Sequence, residues 1–345
     1  MTLMEKEIME QPRALVDCEN VNKETMDKLV AELKATNPTH IVLAARGTSD
    51  HAGTYFKYLC EVFKGIPVSL AAPSVVTAYG GKLNLKDAVV IAVSQSGAAA
   101  DALEVVKAGN ACGCTTVAIT NFPDSVVAKE AKFHLWCNCG LEKSVAATKT
   151  YMTSLYLLAE IVAKWSEDKG LLEMLPKIEG LVAETLKDVS YFTELAARFR
   201  FMEECFYLSR GYMYPMAMEA ALKTQETCYV RARSYAVSDF HHGPFAMIRD
   251  NMPVFFFACD KATDKDVVEM IDKVKGAGAE TIVISNKQEI ADKGDIAIKL
   301  PDAAEGPAAI FAGAACAQMF ACRLAAAKGL NPDAPRGLTK VTVTK

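Results

Sequence analysis

The stretch VVIAVSQSGAAADAL, residues 89–103, decides the fold class that the sequence predicts. An apolar, β-branched run stops at Ser94-Gln95-Ser96-Gly97, and helical patterning follows. A short apolar run bounded by glycine is typical of a strand buried on both faces, and its polar end predicts a strand-to-helix turn. The stretch therefore indicates a parallel sheet whose strands are connected by helices.

Five further apolar runs predict strands of the same kind. They end at Gly, Asn or Asp, and helical segments of roughly 10 to 20 residues separate the runs. They cover residues 39–47, 115–121, 205–211, 254–260 and 280–286. This alternation predicts a doubly wound parallel α/β fold, three-layered and flavodoxin-like.

The runs also repeat in register, which predicts an internal duplication. Arg46-Gly47 recurs 164 positions later, and TVAITN at 116–121 resembles TIVISN 165 positions later. Two copies of one domain explain both shifts. We expect an N-terminal helical segment (1–25), a first domain with linking helices (26–190), a second domain (191–330) and a C-terminal tail (331–345) that closes the site.

Composition limits the classes of partner. The 345 residues are 51% hydrophobic and 23% charged, which supplies ample core. A net charge of −4 makes no basic field, so we expect a small soluble ligand and neither nucleic acid nor membrane. The charged N-terminus has no apolar targeting segment, and no run of about 18 strongly apolar residues occurs, so we expect a cytoplasmic protein.

Eleven cysteines raise the possibility of a metal site, but their spacing argues against one. Residues 112/114 and 137/139 form C-x-C pairs in or beside apolar strands, without a paired C-x-x-C or matching histidines. We expect reduced, buried thiols and no metal or other cofactor.

Two strand ends carry side chains suited to an anion. Ligands of parallel sheets bind at the carboxyl ends of strands, where helix N-termini offer free N–H groups. Ser94 and Ser96 add hydroxyls there, Gly97 allows close backbone approach, and RGTSDHAG at 46–53 supplies Thr48 and Ser49. The alternative for a lone S-x-S-G is an ordinary serine helix cap. Two such ends together favour phosphate.

The second half supplies candidate acids and bases. Glu219, Lys223 and Glu226 are spaced to share one face of a helix, where a surface ion pair is the alternative. In the turn His241-His242-Gly243-Pro244, one histidine is a candidate acid or base near neutral pH, although solvated loop histidines are common. Lys149 in EKSVAATKTY is a further candidate ligand, with a solvated helix start as the alternative.

Together the motifs resemble the sugar isomerase (SIS) family, and in particular the isomerase domain of glucosamine-6-phosphate synthase and the SIS-type glucosamine-6-phosphate deaminases. The resemblance covers nearly the whole chain. It rests on MEKEIMEQP (4–12), RGTSDHAG (46–53), AAPS (71–74), SQSG (94–97), VAATK (145–149), EAALKTQET (219–227), HHGP (241–244) and DAPRGLTKVTV (333–343).

The resemblance implies how a sugar phosphate is held. Ser94, Ser96 and the Thr48 hydroxyl are the implied phosphate ligands, with Gln95 nearby. One departure weakens this inference: the family usually has Ser or Thr two residues after the glycine of SQSG, and this chain has Ala99. We expect the missing hydroxyl to cost about 1 to 2 kcal/mol if nothing replaces it.

The resemblance also implies catalytic roles. Glu226 shuttles a proton between C1 and C2 of the sugar, and His242 assists ring opening from the neighbouring subunit of a homodimer. Lys340 approaches the sugar carbonyl. Aldose/ketose interconversion needs such a base, a ring-opening group and stabilisation of an enolate-like intermediate. The presence of His241 beside His242 indicates that the sugar carries a substituent different from that of the family's usual substrate.

The expected reaction follows from what the chain lacks relative to the synthases. They carry an N-terminal glutaminase domain, whereas this sequence begins at the isomerase-like segment. We therefore expect an isomerase-deaminase of amino sugar metabolism, a hydrolase converting glucosamine 6-phosphate to fructose 6-phosphate and ammonia. The motifs RGTSDHAG and VAATK also resemble those of the deaminases more than those of the synthases. The alternatives are a ketosamine 6-phosphate deglycase and a non-catalytic sugar-phosphate sensor, the latter disfavoured by retention of Glu226, His242 and Lys340.

Overall fold

The computed structural model describes residues 1–340, so the last five residues of the predicted tail lie outside the described part of the chain. The chain divides into two compact units. The first unit contains Glu10–Glu142, Ala147–Pro176 and the described residues from 338 onward, and the second contains Met1–Met9, Lys143–Ala146 and Lys177–Gly337. The domain boundaries expected from the sequence stay a prediction.

Each unit is built on one sheet of five parallel strands. The strands are β1 (His40–Ala44), β2 (Val68–Leu70), β3 (Ala88–Val93), β4 (Thr115–Thr120), β5 (Phe133–Trp136), β6 (Glu204–Ser209), β7 (Arg231–Ala236), β8 (Pro253–Phe257), β9 (Glu280–Ser285) and β10 (Ile296–Lys299). The order is β2-β1-β3-β4-β5 in the first unit and, equivalently, β7-β6-β8-β9-β10 in the second. Each sheet is parallel throughout, which confirms the predicted fold class.

Helices flank both sheets. They are α1 (Leu3–Met9), α2 (Gln11–Thr36), α3 (Thr48–Phe63), α4 (Ser74–Thr77), α5 (Ala100–Ala111), α6 (Val126–Glu130), α7 (Lys149–Ser166), α8 (Lys169–Met174), α9 (Ile178–Thr185), α10 (Tyr191–Arg198), α11 (Tyr214–Cys228), α12 (Val237–Phe240), α13 (Asp264–Gly276), α14 (Gln288–Ala291) and α15 (Ala309–Ala327).

The duplication predicted from the sequence is confirmed. Strand β6 begins 164 residues after β1, and β9 begins 165 residues after β4. The two sheets also share one strand order. The same backbone topology therefore serves both halves of the chain.

The six predicted strands are β1, β3, β4, β6, β8 and β9, and the four that the sequence did not predict all lie at sheet edges. Strands β3 and β4 are buried at every residue, whereas edge strands such as β2 and β10 expose part of theirs. An edge strand has one neighbouring strand only, so it does not need a continuous apolar run.

Apolar helices form the centre of each unit. In the first unit, α7 packs against α2 and α3, and nearly all of its residues are buried. In the second, α15 packs against α10 and α11. Within residues 1–340, the segment Gly306–Ala327 alone is long and apolar enough to cross a membrane, but its most apolar stretch of 18 residues is 94% buried inside the structure, as expected of a core helix.

Candidate functional site

The two predicted anion-binding turns lie side by side in the first unit. Strands β1 and β3 are neighbours, with Ala44 opposite Ala92, so the turns that follow them meet at the carboxyl edge of the sheet. The chain turns outward in opposite directions from these two strands, which is where doubly wound folds bind ligands. A 3.0 Å ion pair from Arg46 to Asp101 joins the first turn to the start of α5.

The serines of the SQSG loop bond to backbone amides of the loop itself. Gly97 N donates to Ser94 Oγ at 3.2 Å, and Ala98 N donates to Ser96 Oγ at 3.3 Å. Helix α5 begins three residues after Gly97, and its N-cap residue, Ala99, makes no side-chain capping bond. The serine-cap alternative is therefore wrong. In the first turn of α5, the carboxylate of Asp101 accepts from Ala102 N at 2.8 Å.

Glycine is required at position 97. Its φ is +61°, and an added Cβ would lie 2.0 Å from Ser125 Oγ, which accepts a hydrogen bond from Ala128 N at the start of α6. An L side chain would meet both backbone strain and a steric clash. The shape of the loop therefore depends on this residue.

We expect Gly97→Ala to lower the free energy of unfolding by about 1 to 3 kcal/mol, because strain and overlap add. Urea unfolding measures the loss. The matched control is Gly113→Ala, where φ is +73° but nothing lies within 4 Å of the added Cβ. Equal losses in the two variants would show that the contact with Ser125 is unimportant.

The other half of the predicted phosphate site is the start of α3. Thr48 is the first residue of that helix and follows Gly47, whose φ is +53°. Thr48 and Ser49 are half-buried, as are Gln95 and Ser96. The structure thus places the predicted phosphate ligands of both turns at one edge of one sheet, whereas Lys149 lies at the start of α7.

Lys149 is engaged in an internal ion pair. Its side chain is 3% exposed, and Nζ lies 2.7 Å from Glu10 Oε2 while also donating to the Leu141 carbonyl. The solvated alternative is therefore wrong. Its role as a substrate ligand stays a prediction.

The acid–base cluster lies on α11 in the second unit. Lys223 Nζ is 2.5 Å from Glu226 Oε2 and 3.3 Å from Glu219 Oε1. The side chains of Lys223 and Glu219 are fully buried, whereas that of Glu226 is 23% exposed. The surface ion pair alternative is therefore wrong, because α11 packs against β6, β7 and α15.

The two carboxylates of this cluster stabilise the positive charge of Lys223. Burial by itself lowers the pKa of Lys223, but Glu219 and Glu226 outweigh burial and raise its pKa. The ammonium is therefore retained at neutral pH between two carboxylates. Glu226 is the member whose carboxylate reaches solvent, which suits it to exchange a proton with a ligand.

The histidines lie in the turn after α12. His241 and His242 are both exposed, and Gly243, with φ at +130°, shapes the turn. His241 Nδ1 lies 3.1 Å from Lys273 Nζ, so His241 is the partner of a surface lysine. The roles expected for both histidines stay predictions.

Sequence reasoning missed Glu142, which the structure pairs with the predicted catalytic lysine. Lys340 Nζ donates to Glu142 Oε2 at 2.6 Å, and the Glu142 side chain is fully buried. The available signal was an acidic residue three positions before the VAATK motif.

The cysteines carry no metal site in the described residues, where no three His, Cys, Asp or Glu side chains are arranged to hold an ion. All eleven cysteines are free thiols. Burial raises the pKa of Cys316 to about 12 and that of Cys137 to about 11. These two thiols are unreactive at neutral pH.

Comparison with protein families decides the family of this fold. The SIS domain model matches residues 35–163 and 203–328, one match on each sheet. The chain belongs to the SIS domain family. Its two SIS domains correspond to the two copies that the repeat predicted.

Curated relatives of these SIS domains include isomerizing glutamine–fructose-6-phosphate aminotransferases. The Aquifex aeolicus protein is 33% identical over 344 residues, and the match covers 99% of this chain and 57% of the relative. The Thermococcus kodakarensis protein is 34% identical over 352 residues, with 99% and 58% covered. The chain thus spans little more than half the length of these relatives.

Two solved structures agree with the fold of the SIS domains. A provisionally assigned phosphosugar isomerase from Silicibacter pomeroyi superposes with a TM-score of 0.87 at 29% identity, covering 96% of this chain and all of the other. The C-terminal domain of glucosamine-fructose-6-phosphate aminotransferase from Francisella tularensis superposes with a TM-score of 0.85 at 26% identity, covering 97% and 98%.

Proposed function

We propose that this SIS protein is a phosphosugar isomerase that deaminates an amino sugar 6-phosphate, with glucosamine 6-phosphate as the substrate. The observation that carries the proposal is the α11 cluster, in which a buried ammonium holds a partly exposed carboxylate. Isomerisation requires a carboxylate that moves a proton between adjacent carbons. Glu226 is the group proposed for that step.

The proposed reaction balances with water as the only co-reactant. His242 assists opening of the sugar ring, which exposes the aldehyde at C1. Glu226 takes the proton from C2 and returns it to C1, so the amine at C2 becomes an imine. Water then adds to the imine, and fructose 6-phosphate and ammonia leave. The cation of Lys340 stabilises negative charge at the sugar oxygen during proton transfer.

The first unit supplies the proposed phosphate site. Hydroxyls of Ser94, Ser96 and Thr48, with the amides at the start of α5, match the acceptor oxygens of a phosphate. The names of the relatives support this ligand class, because both curated relatives act on fructose 6-phosphate by name. The resemblance of RGTSDHAG and VAATK to the deaminases favours the deaminating direction.

The deciding experiment measures ammonia from the purified protein with glucosamine 6-phosphate, coupled to detection of fructose 6-phosphate. We expect both products in equal amounts at a rate on the order of 1 per second or more. Folded protein that binds the sugar phosphate but releases neither product would exclude the deaminase and leave the deglycase and the sensor alternatives.

A ketosamine 6-phosphate deglycase is the second candidate. Two observations favour it: Ala99 removes a hydroxyl from the phosphate loop, and His241 adds an imidazole beside His242. Glu226 would then move the proton in the opposite sense, from C1 to C2, so that the amine on C1 becomes an imine. Water adds to this imine and releases an amino acid or amine together with glucose 6-phosphate. Incubation with a fructosamine 6-phosphate, followed by detection of the free amine, separates the two enzymes.

Restoring the missing hydroxyl tests the phosphate site. We expect Ala99→Thr to tighten binding of fructose 6-phosphate roughly fivefold, on the scale of one net hydrogen bond of about 1 kcal/mol. Isothermal titration calorimetry measures the affinity. Ala100→Thr, one residue further on and exposed, is the control and should change nothing. Equal effects of the two substitutions would place the phosphate elsewhere.

The proposal includes a homodimer in which His242 serves the site of the neighbouring subunit. Mixing inactive Glu226→Gln and His242→Ala proteins tests this point, because mixed dimers would hold one site with both groups intact. We expect activity to reappear on mixing. A protein that stays monomeric in size-exclusion chromatography contradicts sharing.

A further inference from the structure

Glu142 and Lys340 form an ion pair whose role the sequence motifs do not explain. The two residues are 198 positions apart in sequence but belong to the same unit. The Glu142 side chain is fully buried, whereas that of Lys340 is 21% exposed. A buried carboxylate at this place requires a reason, because taking a charge out of water costs several kcal/mol unless partners compensate.

The start of α7 holds the Glu142 carboxylate in place. Its Oε1 accepts from the backbone N–H groups of Thr148 and Thr150, at 2.9 and 3.1 Å. The Thr150 hydroxyl donates to Oε2 at 2.9 Å, and the Thr148 hydroxyl donates to Oε1 at 3.3 Å. Carboxylates are favoured beside the free amides of a helix N-terminus. Glu142 is therefore fixed by a long core helix.

The carboxylate stays charged in this setting. Burial by itself raises the pKa of Glu142, but Lys340 and the hydrogen bonds from Thr148 and Thr150 outweigh burial and hold the pKa below its ordinary value. The nearby Lys149 already pairs with Glu10. The ammonium of Lys340 therefore compensates the negative charge of Glu142.

We propose that Glu142 is a positioning residue, which holds the Lys340 ammonium at the N-terminus of α7. Four hydrogen bonds from the start of α7 fix the carboxylate, and Lys340 reaches it from 198 positions further along the chain. The ion pair thus orders the segment that carries Lys340. The assignment of Lys340 to a sugar carbonyl rests on the proposed function, but the positioning itself does not.

Trypsin cleavage after Lys340 measures the positioning without any substrate. Trypsin must bind the lysine side chain, so a lysine held by Glu142 is cleaved slowly. We expect Glu142→Gln to raise the cleavage rate at this bond roughly tenfold or more, on the scale of a hydrogen bond to a charged group. Intact-mass measurement over time gives the rate. Equal rates in Glu142→Gln and the unchanged protein would overturn the proposal.

Two matched variants separate positioning from general loosening. Glu32→Gln breaks the Glu32–Lys132 ion pair and should leave cleavage at Lys340 unchanged. Lys340→Arg keeps a cation for Glu142 and a trypsin site, so cleavage at that bond should stay slow. Fast cleavage of the arginine variant would show that charge pairing does not hold the segment.

Lysine acetylation of the unchanged protein gives a second measurement, which remains available if Glu142→Gln does not fold. We expect Lys340 to react at least roughly tenfold more slowly than Lys265, whose side chain is 87% exposed. Comparable reactivity would overturn the positioning. If Lys340 is protected but no sugar phosphate is turned over, the proposed function fails and the positioning stands.

Discussion

Glu226→Gln is expected to lower kcat for deamination of glucosamine 6-phosphate by a factor of about 10² to 10⁴, the usual contribution of a general base. The amide keeps the shape of the side chain but cannot accept the proton from C2. Coupled ammonia release measures kcat. Sugar phosphate affinity, measured by calorimetry, should change little, because the proposed phosphate ligands lie on other elements.

Glu203→Gln is the matched control for this loss. Glu203 is an exposed carboxylate that pairs only loosely, at 3.4 Å, with Arg231. Its substitution should leave kcat within the error of the assay. Near-normal turnover by Glu226→Gln would show that Glu226 is not the base. It would therefore contradict the proposed proton transfer from C2 to C1.

Lys223→Met is expected to lower the free energy of unfolding by about 3 to 5 kcal/mol, because it leaves the fully buried Glu219 carboxylate without its cation. Denaturant unfolding at pH 7 measures the loss. Adding Glu219→Gln to Lys223→Met should recover part of it, since the unpaired charge is then gone. The exposed pair Lys28–Glu24 supplies the control, and Lys28→Met should cost less than about 1 kcal/mol.

The stability difference between the unchanged protein and Lys223→Met depends on pH in a way that follows from the raised pKa of Lys223. A base whose pKa is higher in the folded than in the unfolded chain contributes stability that is fully present below its ordinary value of 10.5. The contribution is lost only as the pH rises through the folded-state pKa. We therefore expect the gap between the unchanged protein and Lys223→Met to persist from pH 6 to pH 9, and a gap that closes within this range contradicts a stably charged Lys223.

The duplicated topology of the two units helps to identify residues that serve the shared fold. Arg46 pairs with Asp101 in the first unit, and Arg210 pairs with Asp266 at the equivalent place in the second. The second unit has no SQSG sequence at the matching turn, yet it keeps the ion pair. The arginine pair therefore belongs to the shared fold, and the serines are what distinguishes the first unit.

The inner strands, the duplication and the positions of the polar turns were all predictable from the amino-acid sequence. Continuous apolar runs such as those of β3 and β4 indicate strands that are buried on both faces. Gly97 indicates a turn with a positive φ, which residues with a side chain rarely adopt. Such signals are local, because each reflects the surroundings of neighbouring residues on one element. The motifs then placed the polar groups at strand ends.

Which of these polar groups meet, and which are buried, depends on how the helices and strands pack. Helical spacing allowed Glu219 and Lys223 to pair, but whether α11 buries that face depends on β6, β7 and α15 packing over it. Lys340 meets Glu142 across 198 positions, which no local pattern encodes. Both the edge strands and the ion pairs depend on neighbours distant in sequence, because desolvation and charge compensation are properties of the packed chain.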